Sequence, residues 1–170
     1  WGSNSSGQTS VPSLGTVVQV ALTDYASCAR ENTGQVTCWG NGAYVPTAPS
    51  NVHFDFIDAH GDTICGITRD REILCWSDYG NTVWDNERIW GAYDSVSVGD
   101  EHACATRQDG TLRCWGSAFM VPTPPDVFVQ VESSGRGSCG ITDGGELKCW
   151  GGILVPFDIS NDDNDAFDVL

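Results

Sequence analysis

Apolar and polar residues follow one another in short bursts along this chain. Val17-Val18-Gln19-Val20-Ala21-Leu22 is the first burst; Phe54-Asp55-Phe56-Ile57, Tyr93-Asp94-Ser95-Val96-Ser97-Val98 and Val127-Phe128-Val129-Gln130-Val131 follow. β-Branched and aromatic residues in runs this short predict strands, and no window carries a helical period. Each burst leads into the same figure: two cysteines ten positions apart, then a tryptophan. It occupies Cys28–Gly40, Cys65–Ser77, Cys104–Gly116 and Cys139–Gly151. Counted back from the first cysteine, position −11 holds Val17, Phe54, Tyr93 and Phe128, and position −8 holds Val20, Ile57, Val96 and Val131. Equivalent cysteines lie 37, 39 and 35 residues apart, a period typical of folds built by repeating one supersecondary unit.

A turn falls midway between the cysteines of each pair: Thr33-Gly34, Asp70, Asp109-Gly110 and Gly144. A hairpin folded there sets the two cysteines opposite each other on adjacent strands, within bridging distance. The expected disulfides are Cys28–Cys38, Cys65–Cys75, Cys104–Cys114 and Cys139–Cys149; reduced cysteines packed as small hydrophobes are the rival. Zinc is a poor fit, since its knuckles pair cysteines two to four residues apart. Disulfides place the chain in an oxidising, extracellular or cell-surface compartment.

The repeats run over approximately 11–44, 45–91, 92–120 and 121–156, with partial repeats at 1–10 and 157–170, in a single repeat domain over 1–170. Trp1-Gly2 matches the close of a unit, and Phe167 and Leu170 match positions −11 and −8 of a fifth. Both ends therefore read as cuts through repeats of a longer protein. Val11-Pro12, Val45-Pro46, Val121-Pro122 and Val155-Pro156 recur between units, where a proline suits a strand entrance or edge. The second unit is aberrant. Ser77 replaces the glycine after Trp, Arg69-Asp70-Arg71 replaces the Asp-Gly turn, and the loop from Asp78 to Gly91 carries Trp84 and Trp90. Those two tryptophans are the candidate partner contacts, against a reading in which they cover a neighbouring unit.

Charge narrows the partners. Eight Lys and Arg against 23 Asp and Glu give a net charge of −15, which repels nucleic acid and anionic lipid surfaces. No apolar run is long enough to span a bilayer as a helix. His53, His60 and His102 are the only histidines, and no nucleophile elbow, zinc-protease motif or phosphate loop is present. The expectation is no enzyme and no cofactor. Asp162, Asp163 and Asp165 are weak calcium candidates in an acidic run that lacks the EF-hand glycine and glutamate, and a solvated loop is the plainer reading. Asn4-Ser5-Ser6 is a glycosylation sequon.

The third unit, with Tyr93, Val96, Gly99, His102, Cys104, Asp109-Gly110 and Cys114-Trp115-Gly116, resembles the regulator-of-chromosome-condensation repeat in its cysteine-containing secreted and receptor form. Other units depart from it: the glycine position holds Thr23, His60 and Ser134, and the histidine position Ala26, Thr63 and Gly137. The Gly-Gln-Leu-Gly segment usual after Cys-Trp-Gly is missing or shortened. The resemblance implies an all-β fold of β-propeller blades: four full repeats, one disulfide-pinned hairpin per blade, and four-stranded sheets around a channel. Trp115 should pack at a blade junction and His102 should be structural. Function does not follow from fold. The expected role is a non-catalytic extracellular scaffold recognising a protein or a glycan. The alternative is a structural subunit of an extracellular fibre, coat or appendage, which would self-associate. Exchange-factor activity, as in the nuclear relative, is a distant third.

Overall fold

The computed structural model describes residues 2–42, 44–77, 88–100, 102–116 and 123–151. Trp84, Asp162, Asp163, Asp165 and the Val-Pro pairs at 121 and 155 lie outside them, as do Trp1, Phe167 and Leu170. All regular structure in the described residues is β. The first blade is β1 (Val17–Leu22), β2 (Ala26–Glu31) and β3 (Val36–Gly40). The second is β4 (Phe54–His60), β5 (Thr63–Thr68), β6 (Ile73–Ser77) and β7 (Arg88–Ile89). The third is β8 (Tyr93–Val98), β9 (His102–Arg107) and β10 (Leu112–Gly116), and the fourth β11 (Phe128–Ser134), β12 (Gly137–Thr142) and β13 (Leu147–Gly151). Every blade is an antiparallel meander in chain order. Only the second has four strands among the described residues; the others have three, short of the four-stranded sheets that the resemblance implied.

The cysteines of each hairpin face each other in register and form the four expected disulfides. The left-handed residue of each turn stands six places after the first cysteine: Gly34, Arg71, Gly110 and Gly145, with φ of 88°, 62°, 78° and 84°. The turn pivots are thus Arg71 and Gly145, one place beyond the Asp70 and Gly144 read from the sequence. Arg71 accepts a conformation that costs a side-chain-bearing residue roughly 1–2 kcal/mol, and its guanidinium reaches Asp94 at 2.9 Å.

The core lies between blades, in three joints of one design. Cys28 and Cys38 of the first blade pack with Phe54, Ile57 and Trp76 of the second. Cys65 and Cys75 pack with Tyr93, Val96 and Trp115 of the third, and Cys104 and Cys114 with Phe128, Val131 and Trp150 of the fourth. Trp115 therefore sits at a blade junction, as expected. One face of a blade carries its disulfide; the opposite face carries positions −11 and −8 and the tryptophan. Within the second and fourth blades the aromatic at −11 lies beside that tryptophan, at ring-centroid distances of 5.0 Å for Phe54–Trp76 and 5.5 Å for Phe128–Trp150. The residue after the first cysteine makes room for the phenylalanine. It is Gly66 or Gly140 where −11 is Phe, and a Cβ on Gly140 would stand 2.6 Å from Phe128 Cδ1. In the third blade that place is Ala105, and Gly91 lies against the Tyr93 ring instead.

Hydrogen bonds repeat with the joints. The left-handed turn residue accepts from the −11 amide of the next blade: Phe54 N to Gly34 O, Tyr93 N to Arg71 O and Phe128 N to Gly110 O, at 2.8, 3.0 and 2.8 Å. First strands are tied side by side. Gln19 bonds both backbone atoms of Ile57, Asp58 Oδ2 accepts from Val98 N at 2.8 Å, and Ser97 Oγ accepts from Ser133 N at 2.8 Å. The prolines correct an expectation. Pro46 is fully buried in the connection before β4, and Pro12 lies several residues before β1, so neither enters a strand.

Candidate functional site

What the repeats share is joint-building, so a site is to be sought where the second blade departs from them. Its fourth strand β7, without a counterpart among the described residues of the other blades, pairs with β6 through Ile73–Ile89 and Leu74–Arg88. Alternation buries Ile89 in the joint to the third blade and turns its neighbours Arg88 and Trp90 outward. Trp90 is 69% exposed. Its side chain is thus largely in solvent, while Trp84 of the same loop lies outside the described residues. Arg88 pairs with Glu72 at 2.9 Å and borders an open cleft of about 270 Å³ that also takes in His53, Arg69 and Asp70. Arg69 donates to Thr33 O at 2.7 Å, and His53 Nδ1 lies 2.9 Å from the same oxygen. Three of the chain's eight cationic side chains, Arg69, Arg71 and Arg88, thus gather on the second blade of an acidic protein. The arginines of the Arg71–Asp94 and Arg88–Glu72 pairs are about half exposed, and such pairs contribute little to stability.

His102, His60 and Asp58 serve the joints. His102 Nε2 lies 2.8 Å from Ser138 Oγ across the third joint, and Ser138 also meets Ser133 Oγ at 2.8 Å. Burial holds His102 below its ordinary pKa, against the opposing pull of the Gly137 backbone and Asp100. The ring lies over Gly99, where a Cβ would stand 2.7 Å from Nδ1. That contact explains why a glycine precedes the histidine by three residues. Thr23 and Ala26 close the same backbone turn in the first blade without a ring, Thr23 N donating to Ala26 O at 2.9 Å. His60 meets Asp100 at 2.8 Å across the second joint. Asp58 is pushed up by burial, partly offset by the amides of Val98 and Ala59. Among the described residues no three His, Cys, Asp or Glu side chains are grouped to hold a metal.

Sequence reasoning missed the aromatic pair Tyr25–Tyr44, whose rings lie 5.0 Å apart at the edge of the first blade. Its only signal was two tyrosines flanking the β2–β3 hairpin, which nothing in the repeat marks. Asn4 of the sequon is exposed, with its side chain bonded to Thr9 N and Ser10 Oγ.

Comparison with known proteins agrees with this geometry. The regulator of chromosome condensation (RCC1) repeat family matches residues 17–44 and 93–118. The CRINKLY WD40 ectodomain of the Arabidopsis thaliana receptor kinase ACR4 is similar at 25% identity and a TM-score of 0.67, over 79% of this chain and 49% of that one. The ectodomain of the Physcomitrella patens receptor kinase CR4 has 23% identity and a TM-score of 0.67, over 82% and 43%. Prp20p from Saccharomyces cerevisiae shares the fold at 17% identity and a TM-score of 0.66, over 83% and 47%. The chain spans about half the length of these solved chains. Its four blades are RCC1-like propeller repeats, each pinned by a disulfide.

Proposed function

We propose that this chain is a non-catalytic extracellular scaffold that recognises a protein partner through the rim of its second blade. The observation that carries this reading is Trp90, 69% exposed beside the fourth strand of the second blade and two residues from the Arg88 cleft. A tryptophan left bare beside arginines is the composition of an interface centre. Four disulfides support an oxidising compartment, and the likeness to a receptor-kinase ectodomain supports a cell-surface or secreted setting. The fold is one that binds proteins elsewhere: Prp20p was described with its binding to Gsp1p and histones, and yeast RCC1 bound to Kap60. An exchange-factor role rests on likeness of fold alone. The histidines at the joints pack and hydrogen-bond across blades, which supports a scaffold over a catalyst.

The test is peptide display panned on the oxidised protein, read against Trp90→Ala. Enriched peptides should lose about tenfold in affinity on the variant, since anchor truncation typically costs more than 1 kcal/mol. Peptides that bind the variant equally well would remove the second-blade rim from the reading. Binding on a glycan array that Trp90→Ala abolishes would replace the protein partner with a glycan.

A further inference from the structure

All four blades share a backbone frame at the base of the cysteine hairpin, and the second alone equips it with cationic chemistry. The amide four places after the first cysteine donates to the carbonyl of the residue just before position −11. The pairs are Asn32 N to Thr16 O at 2.8 Å, Arg69 N to His53 O at 3.2 Å, Gln108 N to Ala92 O at 2.9 Å and Asp143 N to Val127 O at 3.0 Å. The frame forms with Thr and Asn, with Ala and Gln and with Val and Asp, so it needs neither an imidazole nor a guanidinium. In the second blade both side chains turn to the cleft. His53 Nδ1 and Arg69 Nη2 meet at Thr33 O of the first blade, at 2.9 and 2.7 Å. A carbonyl only accepts, so both nitrogens donate to it. That anchor fixes the Arg69 guanidinium and engages one nitrogen of its planar fork. No carboxylate lies within ion-pair distance of Arg69 among the described residues, whereas Arg71 and Arg88 are held by Asp94 and Glu72.

We propose that this cleft receives an aspartate or glutamate side chain of the protein partner, its carboxylate seated on Arg69. The inference rests on the reading of Trp90 as the contact anchor and names what the partner presents beside it. An anchored guanidinium with open donors matches a carboxylate in plane and in charge. The cleft, about 270 Å³, is below the range that takes a drug-sized ligand and suits a single side chain. Trp90 stands two residues beyond Arg88, about 7 Å along an extended backbone, so one short segment of a partner can reach both features. The net charge of −15 turns an acidic group away from most of this surface. A carboxylate accepted in one place therefore sets the orientation of the partner more than its affinity. Asp70, the acid of the cleft lining, opposes the incoming charge and keeps the site selective for a partner that also meets Trp90.

The test uses the peptides enriched by display on the oxidised wild-type protein, made synthetically and titrated against variants. They should carry an Asp or Glu whose replacement by Asn or Gln weakens binding about tenfold, and Arg69→Gln should weaken it by the same factor. The two changes together should lose little more than either alone, since both remove one contact. Asp70→Asn should tighten binding by about two- to fivefold, a gain that a structural disturbance would not produce. Arg71→Gln, outside the cleft lining, should leave binding unchanged. Three blades build the frame without a cation, so Arg69→Gln should keep the wild-type circular dichroism spectrum and melting temperature. Peptides that need Trp90 but carry no acid, or are indifferent to Arg69→Gln, overturn the carboxylate site and leave the Trp90 reading standing. So do losses from the two changes that simply add. Peptides that need Arg69 and an acid but not Trp90 support the carboxylate site and overturn the Trp90 anchor. A library that yields no binder overturns both.

Discussion

Gly140→Ala isolates the packing rule on which every joint depends. The added Cβ would lie 2.6 Å from Phe128 Cδ1, 2.9 Å from Cε1 and 3.0 Å from the backbone oxygen of Gln130. Phe128 cannot retreat. It is 2% exposed, wedged beside Trp150 and against Cys104 and Leu112 of the third blade. Overpacking of this kind costs about 1–3 kcal/mol, and replacing a strand glycine by alanine returns about 0.5–1 kcal/mol of backbone entropy. The net loss should be about 1–2 kcal/mol. With about 2–4 °C per kcal/mol for a chain of this size, the midpoint falls by about 2–8 °C. Thermal and denaturant unfolding with disulfides intact would read it. Phe128→Val supplies the decisive comparison, since the first blade pairs Val17 with Ala29 in these two places. The double variant should be more stable than the sum of the singles by about 1 kcal/mol. Gly144→Ala is the control: its Cβ would meet nothing nearer than Thr142 Oγ1 at 3.7 Å, and it should be neutral within about 0.5 kcal/mol. A harmless Gly140→Ala, or strict additivity with Phe128→Val, would refute the size-matching argument.

Two further outcomes follow from charge and exposure. Asp58 is raised above its unfolded pKa of 3.8, so the folded state holds its proton longer and loses stability as pH rises through the window above 3.8. Asp58→Asn should therefore raise the melting temperature at pH 7, with the difference vanishing near pH 3; a lower melting temperature at pH 7 would contradict this. His102 has the opposite sign. Its folded pKa lies below 6.5, so the unfolded chain takes up the proton first and stability falls as pH drops below about 6.5, a slope that His102→Gln should flatten. Reduction should also proceed in order. Cys149 is solvent-exposed whereas Cys65 and Cys75 are 0% and 1% exposed, so mild reductant with mass-mapped alkylation should open Cys139–Cys149 before Cys65–Cys75. Loss of either bridge removes about 3 kcal/mol in the chain-entropy model for a loop this size.

Much of the fold was legible because it is local. Cysteines ten apart around a turn dictate a hairpin, and a fourfold recurrence at matched spacing dictates blades. What the sequence could not display was which elements meet across the joints. Positions −11 and −8 were visible as strand markers, yet only the folded molecule shows them seated on the preceding blade's disulfide. The pairing of Phe54 with Gly66 and Phe128 with Gly140 spans twelve residues and carries no local signal, since glycine in a strand ordinarily reads as a weakness. Arg71 hid its role in the same way, because a left-handed arginine has no compositional mark. Of the candidate site, Trp90 was identified by being unshared, but its exposure and the adjoining cleft depend on β7, a two-residue strand too short for any pattern to reveal.

The disulfide beneath each joint also bears on how the molecule is made. Each bridge closes within a single hairpin, so it can oxidise as soon as that hairpin leaves the ribosome or translocon, before the next blade exists. The following blade then arrives at a finished, covalently fixed template instead of having to find a distant partner. Assembly can proceed in one direction, one blade at a time, with little opportunity for wrong cysteine pairing. For the same reason a whole unit inserted or deleted by recombination would bring both halves of a joint with it. The number of blades is then free to change during evolution without any core having to be rebuilt.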